Sequence, residues 1–120
     1  MWGLEELKAQ RDVIDRIDWE MTPEGAVETF LEWGTGWSRK GDFVRFVGQD
    51  ALYFAVYAWE EPPQITLIRR NMRDAEEIAK IRAPEELVRA TIEEAGRKPG
   101  VGVYALNDAL KEWLRSALEC

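Results

Sequence analysis

The chain has 120 residues, 46% hydrophobic and 32% charged, which fits one domain with a packed core and argues against global disorder. Its formal charge is −7, a poor match for phosphate backbones, so nucleic acid is not an expected partner, and with no run of about 18 apolar residues no membrane span is expected. Histidine is absent from the sequence, which removes Ser-His-Asp and Cys-His catalysis and the ordinary zinc sites.

In chain order, residues 4–17 place Leu4, Leu7, Ile14 and Ile17 on one stripe of an amphipathic helix. This start is charged and has no apolar leader core, so the expected location is the cytoplasm. Thr22-Pro23-Glu24 reads as a second helix start: Thr22 suits the cap, Pro23 the first position and Glu24 the positive end of the dipole. That helix turns Val27, Phe30 and Leu31 inward and closes near Gly34. The loop 34–42, GTGWSRKGD, is glycine-rich. A phosphate cradle leads from a strand into a helix, whereas this loop runs the other way, so it reads as a surface connection.

From residue 43 the pattern alternates. It predicts three antiparallel strands, 43–47, 51–59 and 64–70, joined by Gly48-Gln49-Asp50 and by Glu60-Glu61-Pro62-Pro63. Turns of these lengths pair Val47 with Ala51, Arg45 with Tyr53, Trp59 with Gln64, Tyr57 with Thr66 and Ala55 with Ile68. Alternation then sorts the side chains. Val44, Phe46, Leu52, Phe54, Val56, Ala58, Ile65 and Leu67 form a core face for helices to cover. Phe43, Arg45, Tyr53, Tyr57, Trp59, Gln64, Thr66, Ile68 and Arg70 form the other. Arg69 falls at the margin of the apolar face, reaching water along its stem.

Beyond the strands, Asn71 caps a helix near 72–81 with Ala75 and Ile78 inward. Pro84-Glu85-Glu86 starts another, with Leu87, Val88, Thr91 and Ala95 inward and a close at Gly96. Residues 101–106 are either a short fourth strand or an extended approach. Asn107 caps the last helix, which turns Leu110, Trp113, Leu114, Ala117 and Leu118 inward. The single cysteine, Cys120, cannot form an intrachain disulfide. The fold expected is a single α+β domain over 1–120, in order ααβββααα: a three-stranded antiparallel meander with two N-terminal and about three C-terminal helices on one face.

Two constellations carry chemistry. The sequence holds six Trp, whose ordinary use is core and boundary packing and whose other use is binding. On the second sheet face, Arg45 and Arg70 flank Tyr53, with Tyr57 and Trp59 as a flat wall and Thr66 beside them. Two guanidinium groups around an aromatic suit a small anion. The same residue types also make structural cross-strand ladders, and a partner surface is the third reading. Asp18, Glu20, Glu28 and Glu32 cluster near the second helix start, and paired carboxylates serve acid–base or divalent-metal chemistry. In a chain with 23 acids such clustering also arises by chance.

The stretch Ile17-Asp18-Trp19-Glu20-Met21-Thr22-Pro23-Glu24-Gly25-Ala26-Val27, with Leu31-Glu32-Trp33-Gly34 and the segment Leu67–Asn71, resembles a family of small bacterial proteins found mainly in sulfate-reducing and related anaerobes. The resemblance covers about a fifth of the chain. It implies a bacterial origin, and that family lends no activity and no functional residues. The expected role is a non-catalytic binding or regulatory module, without cofactor or metal, whose face takes a small anion or a protein. The alternatives are a homo-oligomer, such as a homodimer, built on that face or on an edge strand, and a carboxylate-based enzyme with or without a divalent metal.

Overall fold

The computed structural model describes residues 1–23, 25–26, 51–70, 75–95 and 102–120. Among these residues the order is α1 (Leu4–Lys8), α2 (Arg11–Asp15), β1 (Ala51–Tyr57), β2 (Ile65–Arg70), β3 (Ala75–Ile81), α3 (Glu85–Glu94), β4 (Val103–Tyr104) and α4 (Asp108–Leu118). The class is α+β. Among the described residues the sheet has four antiparallel strands, in the order β3-β2-β1-β4, rather than three. The strand expected over 43–47, the body of the second helix and the loop 34–42 lie outside the described residues.

The N-terminal stripe forms as two short helices instead of one. Gln10 leaves helical geometry (φ −95°, ψ 69°), and Gln10 N–H bonds to the carbonyl of Leu7 at 2.8 Å. Leu7, Ile14 and Ile17 are all buried. Helices this short draw their stability from packing rather than from propensity, so the core decides where the chain bends. The start at Thr22 forms as the sequence indicates: its Oγ1 accepts from Gly25 N–H at 2.9 Å, and its carbonyl from Ala26 N–H at 2.9 Å.

β1 and β2 pair as Tyr53 with Ile68, Ala55 with Thr66 and Val56 with Ile65. This register is two residues away from the expected one, because the turn takes seven residues, 58–64, and not four. A slip of two preserves every side chain's face, since strand side chains repeat with period two. Leu52, Phe54, Val56, Ile65 and Leu67 accordingly meet Leu7, Ile14, Val88, Leu110, Leu114 and Leu118 from the helices in the main core. Ala58 is the exception: it lies past the strand end and is exposed.

The segment expected to be a helix over 72–81 is instead β3, and its Ala75 is exposed. Ala, Glu and Lys favour a helix locally, but β2 would then present an open row of N–H and C=O groups. Pairing satisfies that row and buries Ala79 and Ile81 against the core. A bulge at Ile78 resets the alternation between Glu77 and Ala79. The outer edge of β3 is strapped by the N-terminus: Trp2 N–H bonds to the Ile78 carbonyl at 3.0 Å, and Lys80 N–H to the Trp2 carbonyl at 2.9 Å.

α3 buries Val88 and Thr91, while Ala95 is exposed because the helix has ended. Residues 103–104 settle as the short strand β4, paired with Val56 and Tyr57. α4 begins as expected, with Asn107 Oδ1 accepting from Leu110 N–H at 2.9 Å. No helix among the described residues is long and apolar enough to cross a membrane.

Candidate functional site

The second sheet face is buried rather than open. Ala51, Tyr53, Ala55, Tyr57 and Ile68 form a separate apolar cluster with Ala26, and Met21 and Val103 pack against it. Thr66 is fully buried there, and its hydroxyl has no hydrogen-bond partner among the described residues. Ala26, in the helix that starts at Thr22, thus packs on this face, so the described helical residues do not all lie on one face of the sheet. Of the six residues expected to bind, Tyr53, Tyr57 and Thr66 are inside, Arg70 is half-buried, and Trp59 alone is open, at 63% exposure. Arg45 lies outside the described residues. Arg70 pairs across the ladder with Ala51 and not with Tyr53, yet its charge still reaches Tyr53. Burial raises the Tyr53 phenol's pKa, and Arg70 pulls it down.

What remains accessible is the corner where β1 runs into the turn. The Trp59 indole stacks on Tyr57, with ring centroids 4.6 Å apart and planes within 14°. Below it, Gly102 is left-handed (φ +75°), and a Cβ there would meet the indole Cε3 at 3.4 Å. Any residue with a Cβ is therefore strained at 102 by the backbone, while the Cβ itself would sit in van der Waals contact with the ring. Lys80 Nζ lies 4.8 Å from the Tyr57 ring centroid, within cation–π range. Lys80 also forms an ion pair with Glu60 and lies 3.8 Å from Glu77. Burial, the hydrogen bond to Glu77 and that carboxylate's charge hold the Tyr57 phenol well above its ordinary range, so it stays protonated. Glu61 bonds to Arg89 at 2.9 Å, tying the turn to α3.

Glu60, Glu77 and Lys80 were not legible as site residues, because the sequence places 77 and 80 on a helix. The signal available was the alternation Ala79-Lys80-Ile81 beside a strand that otherwise lacks a partner. Two carboxylates already neutralise Lys80, so this corner offers a flat aromatic surface on a rigid mount rather than an anion trap.

The carboxylate cluster is only partly assembled. Asp18 and Glu20 are exposed, and Glu20 Oε2 accepts from Lys111 Nζ at 3.5 Å. The cavity beside them, floored by Phe54 and Leu106, holds about 20 Å³, room for a single water. Glu28 and Glu32 lie outside the described residues. Among the described residues no group of three or more Asp, Glu or Cys is placed to hold a metal. Arg69 takes its expected place at the sheet margin, exposed and paired with Glu76. Comparison of the chain with protein-family models, with curated proteins and with solved structures returns no match.

Proposed function

We propose that the chain is a non-catalytic binding module whose contact surface is the Trp59 corner, and that the partner is a protein. The observation that supports this reading is the exposed indole held flat on Tyr57 over Gly102. A large ring fixed in one orientation loses little entropy on binding, which is why Trp recurs as an interface anchor. The neutralised Lys80 weighs against a small anion at this corner.

Photocrosslinking from a reactive aromatic amino acid placed at position 59 tests the proposal in cells. One discrete adduct with a different protein, competed away by the unlabelled chain but not by its Trp59→Ala form, supports it. An adduct of twice the 13.9 kDa chain mass would move the surface to a homodimer. Absence of any adduct would reject the corner as a contact surface. Trp59→Ala itself should cost less than about 1.5 kcal/mol of stability, because only the stacking contact is lost. Thermal unfolding of the variant checks that the fold is intact.

A further inference from the structure

At the other end of the sheet, on its helix-covered face, a cleft of about 350 Å³ opens beside α2. Its floor is one row of the ladder, Leu52 opposite Arg69 and Arg69 opposite Glu76. Val13 and Arg16, three residues apart at the end of α2, line it from above, and the Trp2 strap closes one side. The volume lies in the range of small-molecule pockets, and the lining combines apolar surface with a few charged groups.

The charges in this cleft are not equivalent. Arg69 is paired with Glu76. Glu77, which also lines the cleft, is hydrogen-bonded to Tyr57 and lies 3.8 Å from Lys80. Arg16 is exposed and has no ion-pair partner among the described residues. It is therefore a guanidinium poised at the mouth of a cavity walled by Trp2, Val13 and Leu52. A guanidinium matches a carboxylate with two parallel hydrogen bonds, and the apolar wall suits what that carboxylate is attached to.

We propose that this cleft binds a small carboxylate with an apolar body, the carboxylate on Arg16 and the body against Trp2, Val13 and Leu52. The proposal does not rest on the Trp59 corner: Glu77 reaches both, but the groups that would hold the ligand, Arg16, Trp2, Val13 and Leu52, belong to the cleft. The test is amide and indole NMR of the full chain titrated with hexanoate, with phenylacetate and, as a charge control, with hexylamine. Saturable shifts at Val13, Leu52, Ile78 and the Trp2 indole are expected with either carboxylate and not with the amine. Arg16→Gln should weaken binding about tenfold or more, the loss of one charged hydrogen-bond pair. Arg16→Glu, at an exposed position that folding does not depend on, should reverse the preference toward hexylamine. Carboxylates that leave those four signals unmoved, an amine that binds equally, or an Arg16→Gln chain of unchanged affinity would each overturn it.

Discussion

Thr66 is a polar residue in an apolar setting: fully buried, with a hydroxyl that finds no partner among the described residues. Desolvating an unpaired hydroxyl costs about 1–3 kcal/mol, and valine has nearly the same shape. Thr66→Val should therefore raise stability by roughly 1 kcal/mol, read from the midpoint of urea unfolding. A loss of stability would mean that the hydroxyl has a partner. Tyr57 has the opposite character, since its hydroxyl is bonded to Glu77 and its pKa lies above the ordinary value of 10. Below pH 10 the phenol is protonated in both the folded and the unfolded chain. As pH rises past 10 the unfolded chain loses this proton first and then holds fewer protons than the folded one. Stability must therefore fall with rising pH there, by at most about 1.4 kcal/mol per pH unit for this group. Tyr57→Phe should shallow that alkaline slope while costing about 1 kcal/mol at neutral pH through the lost hydrogen bond. Unfolding titrations at neutral pH and above pH 10 separate the two effects.

At the scale of elements, the structure depends on how ends and edges are closed. α4 starts on the Asn107 side chain, which caps Leu110 N–H, while Asn107 Nδ2 donates to Glu94 at 3.0 Å and links α4 to α3. Asn107→Ala should cost about 1–2 kcal/mol, whereas Asn107→Asp keeps the cap acceptor but sets a second carboxylate against Glu94 and should fall in between. Thermal unfolding of the pair distinguishes capping from the helix–helix link. β3 is held on one side by β2 and on the other by two hydrogen bonds with Trp2, which close its edge at Ile78–Lys80 to pairing with another chain.

For the whole molecule, stability concentrates where the helices meet the Leu52–Phe54–Val56 face. Leu110, Leu114 and Leu118 are fully buried, and they recur every fourth residue along α4. Leu114→Ala should cost about 2–5 kcal/mol, a large part of a small domain's total, and denaturant unfolding would show it as a lowered midpoint. The two candidate surfaces lie toward opposite ends of the sheet, the indole of Trp59 at one and the Arg16 cleft at the other, with Glu77 reaching both. A ligand in the cleft and a partner at the corner are thus expected to bind without excluding each other.

The sequence by itself determined what depends on near neighbours and on periodicity. The Thr22 and Asn107 caps are local hydrogen bonds, and both formed. The sorting of Leu52, Phe54, Val56 and Leu67 from Tyr53, Tyr57 and Thr66 withstood a register slip of two because alternation has that same period. Tertiary structure alone decided the rest. Ala75-Glu76-Glu77-Ile78-Ala79-Lys80-Ile81 has the composition of a helix, and it became a strand because the edge of β2 needed hydrogen-bond partners that no local rule could supply. The aromatic face reads as a surface, since tyrosine and threonine are at home there, and it was buried because apolar side chains on a sheet's second face gain more from cover than from water. Trp59 stayed outside because the turn lengthened past it, and the cleft beside Arg16 exists because α2 ends before it covers the last row of the sheet.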